Sequence, residues 1–325
     1  MRLPNRLIGL LGATVLLSGC GTSSAQAGAS ASTTTKIVIA QAFQSLLYLP
    51  LYVGIDKGYF ASEGLQVTKV TSNSGANAVA SVISGSAQFS LQDPMIATLS
   101  DIKGASVVPV AAVVNGVPVW IVGHHTGSFA NLAEQKIATA IPPSTSTYLL
   151  QRALKQKHMN ADLEFVELGT EAAPVLAGKA QYGVVYEPTV EEAVAQGLKV
   201  VYSFAHQYQS DYAFSSIDTS RSFIVKHPRV VQEFVDGIDK SLQYIAQHPQ
   251  GTIQIAIKEF PTLPVSVVKA GVLRMIRDKV YATSPVITPS EFHNALQLQE
   301  FLGNIHPGQV SYADIVDTKF ARNAK

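Results

Sequence analysis

Short β-branched runs alternate with helix-like stretches along most of the chain. Lys36-Ile37-Val38-Ile39-Ala40 reads as a buried strand, and an apolar, glycine-punctuated helix follows around residues 48–57. Leu65-Gln66-Val67-Thr68-Lys69-Val70 alternates with period two, the pattern of a strand. A helix over 76–84, a short strand Phe89-Ser90-Leu91, a helix over 94–102 opened by proline and a strand over 107–114 complete a first unit. The pattern restarts after 117–122. Ile137-Ala138-Thr139-Ala140, a helix over 146–157, a strand over 163–168, a short helix ending near Gly178, a strand over 182–186, a helix through Ala195 and a strand over 199–202 form a second unit. From Arg221 onward the chain turns mainly helical, with Val231, Phe234, Val235, Ile238, Leu242 and Ile245 on one stripe.

Strand and helix alternating at this pitch predict an α/β fold of mostly parallel sheets flanked by helices. Two such units side by side predict two lobes, with the helical tail packed back across the first. The expected division is 36–117 plus 218–325 for lobe one and 118–217 for lobe two. Two hinge crossovers join them, near residues 115–120 and 215–221. One lobe inserted into the other makes a cleft that can shut on a ligand. No internal repeat points to a solenoid or propeller.

The N-terminus carries a different signal. Arg2 and Arg6 precede an apolar stretch over 7–17. It is too short for a membrane span, which needs about 20 residues, and has the plan of a signal peptide. It ends in Leu17-Ser18-Gly19-Cys20, which resembles a bacterial lipobox, with Cys20 as the lipidated residue. The chain has 1 cysteine and it falls on that position, so neither a disulfide framework nor a Cys-rich metal site is available. Residues 21–35 hold no charge and no large side chain and are expected to be a flexible tether. The predicted protein is extracytoplasmic, held to the membrane by lipid, in a periplasm or on the outer face of the cytoplasmic membrane.

Hydrophobic residues make up 47% and charged residues 14%, enough for a large core. The 24 Lys plus Arg against 23 Asp plus Glu leave +1, and no basic run tracks phosphates. Nucleic acid is therefore not an expected partner.

Pro50-Leu51-Tyr52-Val53-Gly54-Ile55-Asp56-Lys57-Gly58-Tyr59-Phe60-Ala61-Ser62-Glu63-Gly64-Leu65 resembles the opening of solute-binding proteins of ABC importers for nitrate, sulfonates, taurine and thiamine pyrimidines, the SsuA/THI5-like and NMT1-like group. Ser74-Gly75-Ala76-Asn77, the segments at 84–89 and 144–150, Val185-Tyr186-Glu187-Pro188 and the C-terminal 312–317 continue the likeness. It covers nearly all of the chain after the tether. The resemblance implies a two-lobed periplasmic-binding-protein fold of type II, no cofactor, and a monomer that delivers a small-molecule solute to an ABC permease with its ATPase.

Ligands of open α/β sheets bind beyond the carboxyl ends of the strands. That rule selects Phe43, Gln44 and Tyr48 after the first strand, Ser74 and Asn77 after the second, and Gln92 with Asp93 after the third. In lobe two it selects Ser144, Thr145 and Ser146, then Tyr186 and Glu187. One hydroxyl of 144–147 is needed to cap the following helix, worth about 1 kcal/mol, and the others are free for a polar ligand group. The aromatics either stack on a ring or pack in the core. No Lys or Arg occupies these loops, whereas a phosphate or dicarboxylate would recruit Arg. Glu187 either receives an amine-bearing heterocycle such as a thiamine pyrimidine precursor or packs between lobes. A sulfonate, taurine or nitrate could be held by N–H dipoles and hydroxyls alone.

Pyrimidine synthases and menaquinone-pathway enzymes share the architecture and form the competing class. The former carry a Cys-rich iron segment, and here no cysteine follows Cys20. His124 and His125 are adjacent and on a strand would face opposite ways, His227 and His248 precede prolines at helix starts, and His206 alone is a candidate for the cleft. No catalytic or metal site is expected.

Overall fold

The run Lys36–Ala40 becomes strand β1 (Thr35–Gln41) in the computed structural model, which describes residues 34–208 and 210–325. The leader at 1–20 with Cys20, and all of the tether but its last two residues, lie outside the described residues. Thr35 already belongs to β1, and its N–H donates to the Gly64 carbonyl at 2.9 Å.

Two five-stranded sheets organise the rest. The first holds β1, β2 (Leu65–Thr71), β3 (Phe89–Gln92), β4 (Val107–Val114) and, later in the chain, Ser215–Ser220. The second holds β5 (Trp120–Gly123), β6 (Lys136–Ala140), β7 (Asp162–Val166), β8 (Tyr182–Val185) and β9 (Lys199–Ser203). With Ser215–Ser220 as β10, the orders are β2-β1-β3-β10-β4 and β7-β6-β8-β5-β9. In each sheet one strand is antiparallel to its neighbours, β10 in the first and β5 in the second. Each of these is the strand that follows a crossover, so both sheets are built on one plan.

The crossovers run from β4 to β5 through residues 115–119 and from β9 to β10 through residues 204–214. The second lies earlier than the expected 215–221, and Ser215–Ile217 pair within the first sheet although the second lobe was expected to extend through residue 217. Ser-Ser-Ile-Asp-Thr-Ser reads as a loop, yet it is buried on both edges of the ladder. Its polar groups are met inside: Thr219 Oγ1 donates to the Gln88 carbonyl at 2.7 Å and Ser216 Oγ to Asp218 at 2.6 Å.

The predicted stripe lies on the helix Pro228–Gln247, which buries Val231, Phe234, Val235, Ile238, Leu242 and Ile245 against the helix Leu49–Asp56 and the first sheet. Phe60 stacks on Phe234 (4.7 Å between centroids), which stacks on Phe89 (4.2 Å). Gly54 and Gly237 leave the notch that this ring fills. Gly58, with φ 71°, makes the left-handed turn that lets Phe60 reach it. The Lys-Gly-Tyr-Phe segment is thus a core device. Among the described residues no helix is long and apolar enough to cross a membrane.

Candidate ligand-binding cleft

A cavity of about 250 Å³ lies between the carboxyl edges of the two sheets. The first lobe contributes Phe43 and Tyr48 beyond β1, Asn73 and Ser74 beyond β2, Gln92 and Asp93 at the end of β3, and Phe214-Ser215 at the entry to β10. Facing them are Pro142–Thr145 beyond β6, Glu167 and Leu168 beyond β7, and Tyr186 beyond β8. The volume suits a solute of about one ring rather than a larger cofactor.

The lobes touch around this space. Phe43 stands 5.3 Å from Tyr48 and 5.9 Å from Tyr186 of the opposite lobe, both tilted. Burial raises the phenols of Tyr48 and Tyr186, which stay neutral. Ser144 occupies the N-cap position of the helix Thr145–Gln156, but its hydroxyl pairs with Ser146 Oγ at 3.0 Å instead of capping. Ser146 N–H donates to the Tyr186 hydroxyl at 3.1 Å, and Thr147 Oγ1 donates to the Ala140 carbonyl at 2.6 Å. The helix start is thereby fastened to its own sheet while Ser144 and Thr145 face the cavity. On the other side Ser74 caps the helix Gly75–Ile83, accepting from Asn77 N–H at 3.1 Å.

Asp93 links the halves. It caps the helix Pro94–Ile102 through Met95 N–H at 2.8 Å and accepts a hydrogen bond from Thr145 Oγ1 of the second lobe. Burial pushes its carboxyl up to about 6, against the opposing pull of Thr145 and Met95. Among the described residues lining the cavity, Asp93 and Glu167 are the charged ones. Glu171, in the segment that follows β7, is fully buried; burial pushes it up to about 7 and Gly169 N–H donates to it at 2.9 Å.

Phe43, Tyr48, Ser74, Gln92, Ser144, Thr145 and Tyr186 are brought together on the cavity, as the carboxyl-edge rule selects them. Gln44, Asn77, Ser146 and Glu187 are not. Gln44 turns outward to the Glu259 carbonyl at 3.0 Å, and Asn77 Nδ2 returns to the Ser72 carbonyl at 3.1 Å. Ser146 is buried behind Ser144. Glu187 faces away from the cavity: Arg274 Nε, on the helix Val265–Arg277, lies 2.8 Å from its carboxylate and 3.0 Å from Glu191. Burial raises the Glu187 carboxyl, with Arg274 pulling the other way. Its carbonyl accepts from Ser45 Oγ at 2.6 Å, and the guanidinium lies 6.0 Å from the Trp120 ring, so this cluster ties the lobes behind the cavity. His206 is largely exposed, 4.0 Å from Asp278, and also lies off the cavity.

Asn73 lies in the loop 72–77 that the rule selects after the second strand, whereas reasoning from the strand edges missed Glu167, Phe214 and Ser215. The rule applied to β7 would have found Glu167. Phe214 and Ser215 carried no signal, because β10 does not look like a strand.

A polar cavity between the carboxyl edges of two mixed sheets, each with one antiparallel strand contributed by a crossover, defines the type II periplasmic-binding-protein fold. The ligand-binding component of an ABC-type import system from Staphylococcus aureus, solved with zinc bound, superposes with a TM-score of 0.73 at 15% identity over 90% of this chain and 99% of that one. The periplasmic aliphatic sulphonate binding protein SsuA of Escherichia coli superposes with a TM-score of 0.69 at 16% identity over 87% and 92%.

The chain belongs to the NMT1/THI5-like family, whose sequence model matches residues 47–252. YtlA of Bacillus subtilis (strain 168) is 22% identical over 301 residues, 89% of this chain and 90% of that one.

Proposed function

We propose that this protein is the solute-binding component of an ABC importer. It works outside the cytoplasm as a monomer, tethered by a lipid on Cys20, and captures a small organic solute between two lobes, one built on each sheet, joined through residues 115–119 and 204–214. Hinge closure then presents the loaded form to the permease and its ATPase. Family membership and the fold shared with the import-system and sulphonate-binding proteins support the transport role. The similar proteins are binding proteins, one of them of an ABC-type import system, which supports capture over catalysis.

The solute is an amine-bearing heterocycle such as a thiamine pyrimidine precursor. One observation carries this reading: both charged residues on the cavity are acids, Asp93 and Glu167. Asp93, partly open to the cavity, takes the role considered for Glu187, whose carboxylate is held by Arg274. Aromatic faces at Phe43 and Tyr186 suit a flat ring. A sulfonate, taurine or nitrate is the second reading, favoured by the hydroxyls and helix start at Ser144-Thr145.

Mass spectrometry of small molecules released from gently denatured protein tests the proposal, followed by calorimetry with aminopyrimidines, sulfonates and flavins. A released aminopyrimidine that rebinds supports it. A released sulfonate that binds equally well to Asp93→Asn refutes the ligand reading, and turnover of any candidate refutes the binding role.

A further inference from the structure

Asp93 follows β3 on the first lobe, and Thr145 opens the helix Thr145–Gln156 on the second. One carboxylate oxygen of Asp93 accepts from Met95 N–H at 2.8 Å, and the other is hydrogen-bonded to the Thr145 hydroxyl. Among the described residues lining the cavity, this is the side-chain hydrogen bond that joins the two lobes. Ser45 and Arg274 tie them instead to Glu187 and Glu191 behind the cavity. The helix that carries Thr145 meets the first lobe a second time, where Arg152 Nη2 lies 3.4 Å from Gln297 Oε1 on the helix Pro289–Phe301. Residues 145 and 152 are two turns apart on one helix face, so that face is what the second lobe sets against the first.

A hydroxyl and a carboxyl can each give or take the hydrogen, so this bond forms whether or not Asp93 carries its proton. It does require the lobes to be together. β3 and β6 belong to different sheets joined through residues 115–119 and 204–214, and a swing about those segments parts the two side chains. A contact made in one of two states shifts the population toward that state, and the apparent affinity for a solute held by that state rises with it.

We infer that Thr145 is a positioning residue, a latch that closes on Asp93 across the cleft and strengthens the binding of any solute to the same degree without reading its chemistry. This inference rests on the proposed capture of a solute between the lobes and adds which side chain holds them shut.

Single-molecule fluorescence transfer between dyes at exposed Ala80, on the helix Gly75–Ile83, and exposed Gln156 reads the lobe separation of the unliganded full chain. Thr145→Val keeps the side-chain shape without the hydroxyl and lowers the ratio of near to far lobes about fivefold or more, the worth of one hydrogen bond to a carboxyl group. Thr145→Ser keeps the hydroxyl and keeps the ratio. In calorimetry with an aminopyrimidine and its N-methyl analogue, Thr145→Val weakens both by one common factor. An unchanged ratio in Thr145→Val, an equal loss in Thr145→Ser, or weakening confined to one of the two solutes overturns the inference. If fewer than two of these solutes bind, the lobe separation alone decides; if none binds, the solute reading fails by itself.

Discussion

Arg274 offers the sharpest test of how the lobes are tied together. Its guanidinium serves two carboxylates, Glu187 with a fully buried side chain and Glu191 with 12% of its side chain exposed, and is itself 13% exposed. Burial pushes the Glu187 carboxyl up to about 8 against the pull of Arg274, so it is largely neutral at pH 7. Arg274→Met strands the remaining carboxylate, and its cheapest relief is a proton. At pH 7 that lies about 2.7 pH units above the ordinary Glu value of about 4.3, a cost of about 3.7 kcal/mol. Breaking a buried pair costs about 3–5 kcal/mol, which agrees. The variant's folded state then holds a proton that the unfolded chain releases, so the penalty must shrink as pH falls, to about 1.6 kcal/mol near pH 5.5. Urea unfolding at both values reads it directly. Adding Glu187→Gln and Glu191→Gln to Arg274→Met should recover most of the loss. A penalty below about 1 kcal/mol at pH 7, or one that does not change with pH, would refute the buried-triad reasoning.

Other consequences follow from the same structure. The Asp93 carboxyl is raised from 3.8 to about 6, so its stabilising contribution is full below the lower value and lost as pH rises through the upper one. Unliganded Asp93→Asn should therefore melt higher than the parent at neutral pH and lose that advantage near pH 4 by thermal unfolding, while binding the aminopyrimidine at least about tenfold more weakly. Gly237→Ala would bring a methyl within 2.4 Å of the Phe60 ring, which Phe234 backs, and should destabilise by about 1–3 kcal/mol in denaturant titrations. Trp120→Phe removes the 3.2 Å hydrogen bond from Nε1 to the buried Asp278 carboxylate, and should cost about 1–3 kcal/mol by the same measurement.

The layered α/β architecture was legible because buried strands and amphipathic helices leave different periods, and the stripe from Val231 to Ile245 appears on one helix face as its spacing requires. Strand β10 was not legible. Its Ser, Asp and Thr side chains are satisfied by Gln88, Gln92 and one another, partners that exist only once the sheet has formed. The same limit applies at the cleft. Knowing which loops converge picked out Phe43, Thr145 and Tyr186, but adjacent residues leave the chain on different sides. Gln44, Ser146 and Glu187 therefore turn away from the space their neighbours line. What draws Glu187 aside is Arg274, 87 positions later in the chain, and no local pattern announces that pairing.

Among the described residues, Asp93 and Glu167 are the charged ones lining the cavity, and the solute proposed for it is donor-bearing and uncharged or cationic. Calorimetric titration of the parent protein and Asp93→Asn with an aminopyrimidine and with an alkanesulfonate tests it most directly. Saturable, one-to-one heats are expected for the aminopyrimidine in the parent, weakened at least about tenfold by Asp93→Asn, and none for the sulfonate. Tight sulfonate binding that Asp93→Asn leaves unchanged or strengthens would contradict it.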